Sequence, residues 1–323
     1  NLGATARRIR LTLSGHFVVP ELTYNIQFGF ANRDMESDLR TPLLDAFIGY
    51  APIRDFNLRI GQGKVPFNRQ TVISSSALQF TDRSIVLSEL SLERDVGIYA
   101  FSKDLFGLGK RVQYQLGMFG GDGRNRVAGR SGLLWVARLE VSPFGKFDSY
   151  TESDHARSST PGLQLGFGAA LNRNTVRARS TTSNVYTLGG FDYAHLEADM
   201  IFRWAGFSLQ AEWLWRSASD RSHDGLAADG VTPLTEYSRS AWGYFVQAGY
   251  YMPMGLELAA RYGDLHPRAG ADPKLERERE VGGAASWYFE GHALKLQTDC
   301  FYLFGETLRN RQLQVRVQVQ LQF

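Results

Sequence analysis

Leu313–Phe323, LQVRVQVQLQF, alternates apolar and polar residues at every position to the end of the chain. Successive side chains of a β-strand point to opposite faces, so Leu313, Val315, Val317, Val319, Leu321 and Phe323 share one face. Gln314, Arg316, Gln318, Gln320 and Gln322 share the other. A strand that is wholly apolar on one side and wholly polar on the other belongs in a sheet that separates an apolar medium from water.

The same alternation recurs from the start of the chain. Ile9, Leu11, Leu13 and Phe17 oppose Arg8, Arg10, Thr12, Ser14 and His16, and Leu22, Tyr24, Ile26, Phe28 and Phe30 oppose Thr23, Asn25, Gln27 and Gly29. Further strands read at 44–51, 56–63, 94–102, 111–120, 133–142, 162–171, 190–204, 206–217, 240–251, 255–264, 280–290, 292–303 and 311–323, fifteen in all. Short links (18–21, 52–55, 204–206, 252–255, 290–292) alternate with long polar ones (31–43, 64–93, 121–132, 172–189, 217–239, 265–279). Transmembrane β-barrels have this asymmetry, with short periplasmic turns and long external loops. The segment 143–161 is too long for its place among the short turns, yet its position in the series makes it periplasmic.

The chain therefore reads as an all-β protein, an antiparallel transmembrane β-barrel in a single domain spanning residues 1–323. Bacterial single-chain barrels have even strand numbers, and the first and last strands read here run the same way, so sixteen strands are expected. The missing upward strand is expected before residue 7, either as a stub in residues 1–6 or ahead of Asn1. A barrel of this size leaves an aqueous lumen, which puts the polar face inside and the apolar face toward lipid. Aromatics near strand ends, Tyr50, Trp204, Trp215, Trp242, Tyr250, Tyr251, Tyr262, Trp287 and Phe289, fit interfacial girdles. A soluble sandwich or propeller would reverse the faces and would not need them.

Composition excludes several classes. No stretch approaches the roughly 20 apolar residues of a membrane helix, and the mean hydropathy is −0.26. A net charge of +3 without basic runs gives no sign of a nucleic-acid partner. The single cysteine, Cys300, permits no internal disulfide and reads as a small packing residue. No metal or cofactor motif is present. Ser14 and His16 lack an evident third partner for nucleophilic catalysis, and GGDGRN (120–125) reads as a turn rather than a calcium loop. No catalytic residue is expected.

Several segments resemble the phosphate- and polyphosphate-selective porins O and P. RRIRLTLSG (7–15) is similar to that family's early arginine-rich strand, and GQGKVPFNRQ (61–70) to its glycine, lysine and proline-phenylalanine signature. LQFTDRS (78–84) and YQLGMFGGDG (114–123) resemble the stretches that follow. The resemblance implies a sixteen-stranded, anion-preferring outer-membrane porin, a homotrimer, whose long third loop folds inward to narrow the channel. Lys64, Pro66, Phe67, Phe80 and Arg83 match that constriction loop. The family's phosphate-binding lysine cluster has no counterpart here. Phe323 resembles the C-terminal aromatic read by the membrane-insertion machinery.

On the inward register the basic residues are Arg8, Arg10, Arg59, Arg138, Arg203, Arg216, Arg261, Lys295 and Arg316, against Asp45, Glu140, Glu197, Asp199, Glu212, Glu257 and Asp299. Nine against seven gives a weak anion bias, and such mixed charge also suits a cross-strand ion-pair lattice. Segment 64–93 adds Lys64, Arg69, Arg83 and the adjoining Arg94, opposed by Asp82, Glu89 and Glu93. The expected constriction sets Lys64, Arg69 and Arg83 against Arg8, Arg10 and Arg59, because a charged ring acts where an ion is least screened. Within the segment, DRSIVLSELSLER (82–94) should start a short helix capped by Asp82 or Ser84, packed down by Ile85, Leu90 and Leu92. The expected function is passive diffusion of small anions and other hydrophilic solutes, with outer-membrane lipid and lipopolysaccharide as surroundings. The rival is an occluded barrel that anchors a cell-envelope protein partner.

Overall fold

The computed structural model describes residues 3–36, 40–126, 132–146, 150–306 and 311–323. One antiparallel sheet of fifteen strands follows chain order: β1 (Arg10–His16), β2 (Leu22–Gly29), β3 (Leu43–Tyr50), β4 (Asn57–Lys64), β5 (Arg94–Ser102), β6 (Val112–Phe119), β7 (Leu134–Val141), β8 (Gly162–Thr175), β9 (Phe191–Trp204) and β10 (Phe207–Ala218). After the separate hairpin of β11 (Ser222–Leu226) and β12 (Pro233–Tyr237), it continues through β13 (Ala241–Tyr251), β14 (Leu256–Pro267), β15 (Glu278–Glu290), β16 (Leu294–Gly305) and β17 (Gln312–Leu321). Every strand expected from the alternation is present. The hairpin in the 217–239 link carries no such alternation over enough residues to be read from sequence.

The apolar face is the outer one. Leu313, Val315, Val317, Val319 and Leu321 are 66–71 % exposed, and Leu11, Ile48, Leu116, Phe167, Leu196 and Leu258 stand out in the same way. Cys300, expected as a small packing residue, belongs to this exposed face, between Thr298 and Tyr302. Among the girdle aromatics, Tyr50, Trp204, Tyr250, Trp287 and Phe289 are exposed near short turns. Phe323 lies exposed beyond β17.

The sheet does not close on itself. Among the described residues β1 pairs only with β2 and β17 only with β16, so the two edge strands run parallel and do not pair with each other. Residues 3–9 form no strand, and Asn1 and Leu2 lie outside the described residues.

The inner face differs from a simple water-lined wall, because two segments from opposite ends fill much of it. From the side of the long links, residues 65–92 turn inward through α1 (Arg69–Val72) and α2 (Ile85–Leu90). Val65, Phe67, Val86, Leu87, Leu90 and Leu92 bury themselves against Phe119, Leu134, Val136, Leu214, Phe245 and Leu265 of the wall. Ser84 is the N-cap of α2, its side chain accepting from the Val86 N–H. Ile85, expected to pack down, is half-buried and packs against this same cluster.

From the short-turn end, the over-long 143–161 segment sends Glu152, Ser153 and Asp154 inside. Glu152 accepts from Gln70 Nε2 (2.6 Å) and the Gln79 N–H (2.7 Å), which joins the two inserted segments. The polar inner face of β7–β10 is consequently covered by protein on this side, with Arg138, Glu140, Glu197, Asp199 and Glu212 buried.

Candidate functional site: an arginine-lined cavity beside the inserted segment

On β7–β10 the inward charges pair with each other and with the inserted segment. Arg138 donates to Glu140 (2.9 Å), Asp199 (2.5 Å), Glu197 and the Phe67 carbonyl (2.8 Å). Arg69 donates to Asp199 (2.6 Å) and Gln164 (2.7 Å). Both guanidiniums are shielded from solvent. The fold thus makes them an ion-pair lattice under the segment, the arrangement mixed inner-face charge also suggested.

Other basic residues hold the inserted chain by its carbonyls. Lys64 Nζ donates to Val72 O (3.1 Å) and Ile73 O (2.9 Å), and Lys295 Nζ to Leu78 O (3.0 Å). Arg203 Nη1 donates to Thr151 Oγ1 (2.5 Å) and Ser153 O (3.1 Å), fastening the segment that enters from the short-turn end. Arg216 meets Glu89 Oε1 at 2.5 Å, and Arg179 and Arg239 close on Oε2 at 2.9 and 2.8 Å. Burial opposes ionisation of Glu89, but Arg216, then Arg239 and Arg179, outweigh it and hold its carboxyl below the usual range. Arg59 stacks over Phe47 at 4.1 Å near Tyr99, away from the segment.

The remaining expected residues converge. Between the inserted segment and the wall near the sheet's two open edges lies a cavity of about 430 Å³ lined by Arg8, Arg10, Arg83, Arg261 and Arg316. Arg33, Arg94 and Arg124 complete an array of eight arginines, faced by Asp34, Glu36, Asp82, Glu93 and Glu280. The expected trio of Lys64, Arg69 and Arg83 is therefore divided, with Arg83 alone at the cavity. Arg83 donates to Gln70 O (2.8 Å) and Ile73 O (2.9 Å), and among the described residues it has no carboxylate within ion-pair reach. Burial lowers its pKa, against the opposing pull of Glu93. Arg261 is held between the rings of Phe80 (4.5 Å) and Phe301 (4.6 Å) and bonds Asp82 O at 2.9 Å. Arg33 and Arg124 escaped the strand-based reading because they sit in long links, where no periodicity shows which way a side chain points.

A cavity rich in guanidinium, inside an apolar-skinned sheet, is suited to anions in transit. A family profile described as phosphate-selective porin O and P matches residues 1–323. The chain belongs to that family. It is thus an outer-membrane porin, a passive channel with an anion preference. No curated protein sequence matches it.

The porin's fold is shared with solved outer-membrane proteins of low sequence identity. The outer membrane channel DcaP of Acinetobacter baumannii is 13 % identical, with a TM-score of 0.54 over 98 % of this chain and 83 % of that one. OprB of Pseudomonas putida is 9 % identical, with a TM-score of 0.57 over 95 % and 86 %. An anion-selective porin from Comamonas acidovorans is 10 % identical, with a TM-score of 0.53 over 99 % and 87 %. At these identities the likeness concerns the fold, and the porin's own residues must carry any argument about solutes.

Asp122 of the GGDGRN turn accepts from Thr175 Oγ1 (3.3 Å) and the Val176 N–H (3.2 Å), pinning that turn to the end of β8.

Proposed function

We propose that small oxyanions, phosphate-like in charge and size, cross this porin between segment 64–93 and the arginine-bearing wall. The observation that carries the reading is the composition of the cavity, eight arginines against five carboxylates. Segment 64–93 acts as the constriction loop. Lys64, Pro66 and Phe67 root it, Phe80 braces Arg261, and Arg83 faces the solute. Arg8, Arg10, Arg261 and Arg316 supply the opposite wall, whereas Arg69, Arg138, Arg203, Arg216 and Lys295 hold the loop and the inner lattice in place. The arginine-lined cavity left beside the inserted segment favours a conducting channel over an occluded anchor. The apolar outer face suits outer-membrane lipid, lipopolysaccharide and the neighbouring copies of a homotrimer.

Reversal potentials in planar bilayers under a salt gradient test the reading. Wild type should prefer anions, and Arg8→Glu and Arg83→Glu should each shift the preference toward cations. Cation preference in the wild type, or no shift in either variant, would overturn it.

A further inference from the structure

Segment 64–93 has two carboxylates at the centre of arginine clusters, and they differ in setting. Glu89 is sealed, its side chain 3 % exposed, and serves as an anchor. Asp82 keeps 18 % of its side chain exposed and faces the cavity. Four guanidiniums from three parts of the chain reach it. Arg7 and Arg8, the latter at 3.7 Å, precede β1. Arg33, at 3.0 Å, follows β2, and Arg316, at 3.0 Å, comes from β17.

The contacts divide over both oxygens. Oδ2 accepts from Arg7, Arg316 and Arg33 Nη1, and Oδ1 faces Arg33 Nη2 and Arg8. Two oxygens on one carbon, each shared between guanidiniums, is the geometry in which arginine binds carboxylate and phosphate groups. One formal negative charge cannot neutralise four positive ones. Arg316 has Asp299 as a second partner at 2.6 Å, and the cluster still holds surplus positive charge.

The backbone at this point does not depend on the Asp82 side chain. Thr81 N–H and Oγ1 donate to Asp299, and Arg261 donates to the Asp82 carbonyl.

We propose that the Asp82 carboxylate is a built-in counter-anion that occupies an oxyanion-binding site formed by Arg7, Arg8, Arg33 and Arg316. This rests on the cavity being the anion route. A permeating carboxylate or phosphate binds by displacing the Asp82 side chain from the guanidiniums, and the tethered carboxylate sets the affinity. Flux requires binding weak enough for release, and an internal competitor provides that weakness.

Inhibition of chloride conductance by inorganic phosphate, measured on the purified full chain at pH 7 and constant ionic strength, tests this. Removing one like charge at contact distance in Asp82→Asn should lower the half-inhibiting phosphate concentration at least about ten-fold. Asp82→Glu, which keeps the charge, should behave like the wild type. An unchanged value in Asp82→Asn, or equal tightening in Asp82→Glu, would overturn the proposal even if the wild type is anion-selective. A cation-selective wild type would instead overturn the anion route itself. Should Asp82→Asn fail to insert, Arg33→Gln decides: it should raise the half-inhibiting concentration, and no change would refute the site.

Discussion

At the residue scale, enclosure rather than position on a strand separates the porin's arginines. Arg138 and Arg316 both point inward by the same alternation. Arg138 is surrounded by Glu140, Glu197 and Asp199 with its side chain 1 % exposed, whereas Arg316 keeps 21 % of its side chain exposed beside the cavity. Removing one member of a buried ion-pair group leaves uncompensated charge, at a cost of about 3–5 kcal/mol. Arg138→Met should therefore lower unfolding stability by that order in urea. Its reversal potential should stay near the wild-type value, because the guanidinium never meets the solute. An unchanged urea midpoint with a shifted reversal potential would place Arg138 in the pathway. The sequence carried the inward direction of both residues, since alternation is local. It could not carry their enclosure, since the groups that cover Arg138, including the Phe67 carbonyl, come from distant segments.

At the element scale, the two inserted segments differ in what made them legible. The helix in 64–93 was readable because Ser84 offers a cap and apolar residues follow at helical spacing. The insertion at 150–156 had only a length anomaly to reveal it. Within that segment His155 stacks on His292 at 4.5 Å and meets Tyr288 edge-on at 4.3 Å and Tyr251 at 4.7 Å. His155 Nε2 and His292 Nε2 are buried with no hydrogen-bond partner among the described residues. Burial, then Lys295, lowers the His155 pKa to about 4, and burial, Lys295 and His155 lower that of His292 to about 3. Unfolded, both titrate near about 6.5. Between these values the unfolded chain binds more protons than the folded one, so stability falls as pH drops from about 6.5 toward 4. Glu89 stays ionised over most of this window, because its pKa is depressed and its contribution is lost only at lower pH. The double variant His155→Gln, His292→Gln should thus lose less of its urea midpoint between pH 7 and pH 4.5 than the wild type. Equal losses would assign the acid sensitivity elsewhere.

At the scale of the whole molecule, the sheet is a boundary between lipid and a partly filled interior. The terminal strand shows the contrast in adjacent residues: Val317 is 71 % exposed on the outer face, and Gln318 is half-buried on the inner one. A lipid-facing arginine near mid-membrane costs about 2–4 kcal/mol, whereas an inward one can reach water. Val317→Arg should lower folding stability in bilayers by that order, and Gln318→Arg should change it by far less. Equal effects would mean that the apolar face of β17 is not in contact with lipid. The sequence by itself determined the strands, their alternating direction and which face meets lipid, because each follows from a two-residue period and the lengths of links. Only the tertiary structure decided which inward charges are sealed into a lattice and which line a cavity. That division depends on segments 64–93 and 150–156 meeting inside the sheet, where contacts among residues far apart in the chain set burial and pairing.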